Sequence, residues 1–391
     1  MRGDYIPLAV GLLVFLASIV SLRLGLSVAI IEIFLGAIAG NLGLKAEDWM
    51  IYIAQFGGII LTYLAGTEID IRLFKEKFKE SFLIGFFSFL IPFIAAFLFT
   101  FYIIGWSYKA ALIAGIALST TSLAVVYSVL VETGLTKTQI GKMLMAATFV
   151  TDMGTALALS IMFLKPTIYT LVFYIVSILV IFLVDKFSLY ILHNPRFFDK
   201  VIEPEIKFIF LILLVFIYFA QIGEGQAILP AFVLGLLMSK HFDEKRKTRV
   251  IKNRLRTVAY AFITPIFFIV GGMKISIAMI VASLGLFAAL FAVKMVAKFI
   301  GVYFLAKKYI PNEGSMYTTL LMSTGLTFGT ISSLFGLQAG IINQVQYSIL
   351  VGVVVASAII PTFIAQQWFM PVDEEDVLDF DKWYMPPRDK D

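Results

Sequence analysis

Cysteine is absent from this chain of 391 residues, which excludes disulfides, thiolate metal sites and thiol nucleophiles together. Histidine is almost absent. His193 and His241 are the only two, both in polar connectors, so neither a histidine metal centre nor serine–histidine chemistry is expected inside the apolar segments. Charge is scarce too, at 15% of residues, against about a quarter in a soluble domain. What is abundant is apolar surface: 60% of residues are hydrophobic and the mean hydropathy is +0.94. These proportions belong to a polytopic membrane protein. The formal net charge of +5 does not point to nucleic acid, because the basic residues sit in short loops between apolar runs. The first run, Tyr5 to Ser21, lacks a basic n-region and a small-residue cleavage site. It reads as a first span and not as a removable signal.

With about 20 apolar residues per crossing, helices are predicted near 5–21, 25–42, 49–66, 81–104, 109–130, 141–164, 167–185, 206–222, 226–240, 257–273, 276–306, 315–337 and 344–368. That makes thirteen. When the loops are assigned alternately to two sides, 24 Lys and Arg fall on one and 5 on the other. This asymmetry predicts an N-terminus outside and a C-terminus in the cytoplasm of a plasma-membrane protein. The connector from His241 to Arg256 is strongly basic and is expected to be a loop held near anionic headgroups. Residues 371–391 form a short charged tail, too short for a nucleotide-binding domain. Two basic residues, Lys294 and Lys298, remain inside the eleventh span.

One carboxylate organises the rest. Asp152 stands mid-span in Thr148-Phe149-Val150-Thr151-Asp152-Met153-Gly154-Thr155, where an acid is costly and marks an ion or proton path. Thr148, Thr151 and Thr155 place hydroxyls at helical spacing beside it. Two spans are poor helices at their centres. The fifth carries Ser119-Thr120-Thr121-Ser122, and the twelfth carries Ser323-Thr324-Gly325-Leu326-Thr327, residue types that favour unwinding at membrane depth. The two lie seven spans apart, the spacing expected of two inverted six-helix units joined by a linker helix, and paired interruptions of this kind point to a transporter's binding site. Close helix packing is the plainer explanation of the same residues. Glu32 reads as an access-path residue or a structural acid, and Glu68, Asp70 and Glu132 as ordinary helix-end acids. Gly36 and Gly40 form a GxxxG pair compatible with a close helix contact or a dimer face.

These pieces resemble the monovalent cation:proton antiporter superfamily, most closely its second branch with the Kef-type and NapA-type proteins. Ala117 to Val126 is similar to that family's broken helix, and Thr151-Asp152 to its two-residue ion motif. Gly225-Gln226-Ala227-Ile228-Leu229-Pro230-Ala231-Phe232 resembles its glycine–alanine–phenylalanine run, with Pro230 where glycine is usual. Lys298-Phe299-Ile300-Gly301 matches its intramembrane cation. The resemblance implies an all-α fold of inverted repeats with crossed broken helices. It also implies a core bundle (about 81–164 and 276–368) moving against a dimerisation bundle (about 5–66 and 206–273), a linker helix (about 167–185) and a homodimer. Thr151 stands where many electrogenic members carry a second acid, which implies electroneutral exchange.

The function expected is therefore antiport of Na⁺, or of Li⁺ or K⁺, against H⁺, with no cofactor and no enzymatic reaction. Asp152 would be the ion and proton carrier, with Thr121, Ser122, Thr148 and Thr151 as oxygen donors and Lys298 and Lys294 as intramembrane cations. Ser119, Thr120, Thr324, Gly325 and Thr327 would form the crossing. A K⁺ efflux system without its own regulatory domain and a Na⁺-coupled organic-anion symporter are the alternatives in transport. An intramembrane aspartyl protease would need a second membrane aspartate, and only Asp185, at the end of the seventh span, is available.

Overall fold

In hydrocarbon a chain must satisfy its own N–H and C=O groups, and a helix does so within one segment. A computed structural model of the protein describes residues 5–24, 28–67, 78–133, 135, 138–163, 167–192, 203–223, 227–243, 246–310 and 314–371, and all regular structure among them is helical. The N-terminal part comprises α1 (Ile6–Leu24), α2 (Val28–Asn41), α3 (Asp48–Thr67) and α4 (Phe78–Leu98), which runs on through a π-helical turn, Phe99–Ile103. Then come α5 (Tyr108–Ser119), α6 (Leu123–Glu132), α7 (Gln139–Met162), α8 (Ile168–Leu192), α9 (Pro204–Ile222) and α10 (Ile228–Asp243). Helix α11 (Arg246–Val258) continues through a second π turn, Ala259–Ile263, into α12 (Thr264–Met273). The chain ends in α13 (Ile277–Ala282), α14 (Leu284–Tyr309), α15 (Gly314–Met322), α16 (Thr327–Gln338) and α17 (Gln344–Trp368). Ten segments among the described residues are long and apolar enough to cross a membrane, and α2, α5 and α10 are shorter apolar helices.

Two expectations are corrected. The basic connector is not a loop: Arg246–Val258 is helical and buries Ile251 and Leu255, one turn apart, beneath its charged face. It joins α12 through the π turn Ala259–Ile263, just ahead of Pro265 in the first turn of α12, whose missing N–H and fixed φ perturb the hydrogen-bond ladder. The predicted helix over 276–306 is in fact interrupted at Ser283, which leaves helical geometry (φ −119°, ψ 30°) and separates α13 from α14. Glu68, Asp70, His193, Glu224 to Gln226 and the tail from Val372 lie outside the described residues.

Glycines set how the helices meet. A Cβ on Gly36 or Gly40 would collide with the carbonyl oxygens of Ile269 or Met273, and one on Gly272 with that of Ile33. The GxxxG pair is thus spent on the contact of α2 with α12 inside the chain. Gly66 and Gly235 bring α3 and α10 together in the same way, against the carbonyls of Phe232 and Tyr63. A second group is locked around α4: Gly85 faces the Ala147 carbonyl of α7, Gly115 of α5 faces that of Phe93, and Gly301 of α14 faces that of Phe87. Gly329 of α16 sits against the Ala117 carbonyl of α5. Among the described glycines, none makes such a backbone contact between the set α2, α3, α10, α12 and the set α4, α5, α7, α14, α16. Two of the apolar clusters divide similarly. Tyr63, Leu213, Phe216 and Leu255 belong to one, and Ile84, Leu130, Leu144 and Tyr317 to another. A third runs across both sets through Phe149, Phe232 and Phe328.

Gly36→Val is expected to force α2 off α12 and to cost roughly 1–3 kcal/mol, as overpacking does. A Cβ on Gly11 would meet nothing within 4 Å, so Gly11→Ala serves as the control. Thermal unfolding of the detergent-solubilised variants, followed by tryptophan fluorescence, measures the difference.

Candidate functional site

The breaks in α5–α6 and α15–α16 arise from hydroxyls that compete with the backbone ladder. The Ser119 and Thr120 hydroxyls donate to the carbonyls of Ile116 (2.9 Å) and Ala117 (3.0 Å), and Thr120 turns extended (φ −62°, ψ 151°). Ser323 and Thr324 donate likewise to Thr319 and Leu321, both at 2.7 Å. The chain then passes through Gly325 and Leu326 before α16 begins. The two interruptions lie against each other. Ser122 N–H donates to the Thr324 carbonyl (3.1 Å), and the Thr121 hydroxyl donates to the Met322 carbonyl (2.8 Å), satisfying an acceptor that the end of α15 leaves open. A Cβ on Gly325 would run into the Lys294 amine and come within 2.9 Å of Thr120 Oγ1, so the close approach requires glycine.

Lys294 and Lys298 of α14 reach this crossing and are fully buried. Lys298 Nζ donates to Thr121 Oγ1 at 3.0 Å and to Ser88 Oγ at 2.9 Å. Lys294 Nζ lies beside Gly325 and has no hydrogen-bond partner among the described residues. Their position suits the fixed charges there, since α5 and α15 both end at the crossing and present the negative ends of their dipoles. Ser88 escaped the sequence reading. It is the one hydroxyl in the aromatic run Phe82 to Phe93, and its isolation on an apolar helix was the available signal.

Asp152 sits midway along α7, 2% exposed. Its Oδ1 is buried without a hydrogen-bond partner among the described residues, and Lys298 is near enough for the two charges to interact. The carboxylate lines a cavity of about 50 Å³ together with Leu61 and Leu64 of α3, Leu123 and Tyr127 of α6, Arg256 of α11 and Thr327 of α16. The threonines of α7 turn their protons to their own helix: Thr148 to Leu144 (2.8 Å), Thr151 to Thr148 (2.6 Å) and Thr155 to Thr151 (2.9 Å). Their oxygens keep lone pairs for another donor or a cation. Thr148 also touches Met322 Sδ at 3.5 Å, tying α7 to the crossing. Of the residues singled out from sequence, Thr327 shares the cavity with Asp152. Thr121, Ser122, Thr324, Gly325, Lys294 and Lys298 gather at the crossing, where Ser119 and Thr120 close α5. Glu32 is buried on α2 and lies outside this cluster.

A second cavity, of about 260 Å³, opens further along the same helices. It is lined by Gln55 and Gly58 of α3 and by Ile331 and Gln338 of α16. Phe328, which borders the first cavity, meets Phe232 edge-on (6.3 Å), and Phe232 stacks on Phe149 (5.9 Å).

The chain has counterparts among known proteins. The family model described as sodium/hydrogen exchanger, transmembrane, matches residues 11–370. A probable Na(+)/H(+) antiporter 3 of Methanocaldococcus jannaschii is 27% identical over 365 residues, covering 88% of this chain and 90% of that protein. A Na(+)/H(+) antiporter of Enterococcus hirae is 26% identical over 369 residues, covering 89% and 93% respectively. In fold, the chain is similar to the solved sodium proton antiporter MjNhaP1 of M. jannaschii, with a TM-score of 0.70 at 15% identity over 94% of this chain and 99% of that one.

Thr121→Val keeps the volume but removes both the acceptor for Lys298 and the donor to Met322. Loss of such a buried link costs roughly 1–3 kcal/mol. A drop of about tenfold or more in ion-coupled proton movement by folded protein is expected, measured in reconstituted vesicles.

Proposed function

Because this chain belongs to the sodium/hydrogen exchanger family, we propose that it is a secondary antiporter exchanging Na⁺ for H⁺, with Asp152 as the group that takes each in turn. The observation that carries the reading is the Asp152 carboxylate oxygen, buried at the wall of a cavity and without a hydrogen-bond partner among the described residues. An unpaired carboxylate in a dry site is unfavourable, and either a proton or a hard monovalent cation relieves that cost. The two cannot both satisfy it, and their competition is exchange. Thr151, Thr148, Thr121 and Ser122 are the proposed neighbouring oxygen donors. Lys298 balances the crossing through Thr121, and Lys294 does so beside Gly325.

Access from two sides is assigned to the two cavities, divided by Phe232 and Phe328. The proposed moving body is α4 to α7 with α13 to α17, and the proposed scaffold is α1 to α3 with α9 to α12. The separation of glycine-locked helix pairs supports this division. The reading includes a homodimer in the plasma membrane with the N-terminus outside and the C-terminus cytoplasmic, an orientation supported by the 24-to-5 distribution of basic residues.

Thr151 gives the motif a single titratable group, so one proton should leave for each Na⁺ that enters. In vesicles carrying a proton gradient, Asp152→Asn is expected to abolish Na⁺-dependent proton movement, and retention of it would remove Asp152 from the carrier role. Exchange by the parent protein is expected to be indifferent to an imposed membrane potential set with K⁺ and valinomycin. A clear voltage dependence would refute one-for-one exchange.

A further inference from the structure

The cavity beside Asp152 contains a second charged side chain, Arg256. Its guanidinium carbon stands 5.8 Å from the centre of the Tyr127 ring, within the range of a cation–π contact. The arginine is firmly placed. It closes a helix whose inner face is buried through Ile251 and Leu255. That helix is pinned by Lys252 Nζ donating to the Thr67 carbonyl (2.8 Å) and by Arg254 paired with Glu203 (2.9 Å). Tyr127, by contrast, stands on α6, the half-helix that starts at the crossing. The Arg256–Tyr127 contact therefore joins the apolar cluster of α3, α9, α10 and α11 to that of α6, α7, α14 and α15.

We propose that Arg256, held on Tyr127, is a guard charge at the mouth of the Asp152 cavity that sets how much cation is needed on that face of the membrane. The inference rests on the exchange reading above and adds a residue to it. A fixed positive charge along a narrow path repels every entering cation, and it does so more strongly where low-dielectric walls exclude water. Na⁺ and H⁺ carry the same charge and are disfavoured alike. The guard thus shifts apparent affinities on one face without altering the equilibrium of the exchange. A contact between the two clusters also ties the guard to conformation, because the ring must leave the guanidinium if α6 moves past α11.

The test compares Na⁺-driven proton movement in everted and right-side-out vesicles. Arg256→Gln is expected to lower the KM for Na⁺ about three- to tenfold in one orientation only, with turnover near that of the parent. Added choline chloride should shrink the difference, since salt screens a partly exposed charge. Arg256→Lys, which retains the charge, should restore most of the parent KM. Tyr127→Leu leaves the arginine in place without its platform and should shift KM in the same direction by a smaller factor, which keeps the proposal testable if Arg256→Gln fails to fold. A KM unchanged in both orientations, or altered equally in both, would overturn the guard role while leaving exchange intact. Absence of exchange in the parent itself would instead remove the function on which the inference stands.

Discussion

At the centre of this molecule the Thr121 hydroxyl accepts a hydrogen bond from Lys298 and donates one to the Met322 carbonyl. Three problems created by hydrocarbon meet in that one oxygen. The lysine requires acceptors, the end of α15 leaves a carbonyl open, and the chain between α5 and α6 has left its helix. Each group alone would cost several kcal/mol at this depth. Together they satisfy one another, with Ser88 as the second acceptor for the amine and Ser122 N–H closing onto Thr324. Non-helical backbone is thereby maintained where neither lipid nor water could support it. Asp152 stands beside this satisfied network with an oxygen that nothing in it engages. That contrast is the ground on which the aspartate is proposed as the seat of a mobile ion.

Much of this arrangement is legible in the sequence, for reasons that differ by residue. The two broken spans are visible because serine, threonine and glycine act locally, through hydroxyls that bond three or four residues back. Asp152, Lys294 and Lys298 are visible because a charge in an apolar run has few inexpensive explanations. Gly36 and Gly40 are ambiguous: the motif announces a close contact but cannot name the partner, and only packing identifies α12. Ser88 depends on which face of α4 meets α14, which no local rule supplies. The helix at Arg246–Val258 could have been found. Ile251, Leu255 and Val258 recur at helical spacing, but six basic residues among them make the stretch look like a loop.

Backbone-on-backbone packing also limits where the proposed motion can occur. Where a glycine lets one helix rest on the carbonyls of another, as between α2 and α12 or α4 and α7, sliding by even one residue would drive a larger side chain into the contact. Such pairs must travel as one body. Between the two proposed bodies most of the observed contacts are of another kind, Phe328 edge-on to Phe232, Gly58 at ordinary distance from Ile331, and Arg256 over Tyr127, while α17 also donates hydrogen bonds to the end of α12, from Tyr347 to the Gly271 carbonyl (2.8 Å) and from Gln344 to that of Lys274. Aromatic faces and edges have shallow, broad minima, and a guanidinium over a ring keeps its attraction through small lateral shifts. Apart from the hydrogen bonds of α17 to the end of α12, the seam is soft where the proposed bodies are stiff. Asp152 lies at that seam, so the proposed displacement of the bodies would change which cavity its open oxygen faces without disturbing the hydrogen bonds that hold the crossing together.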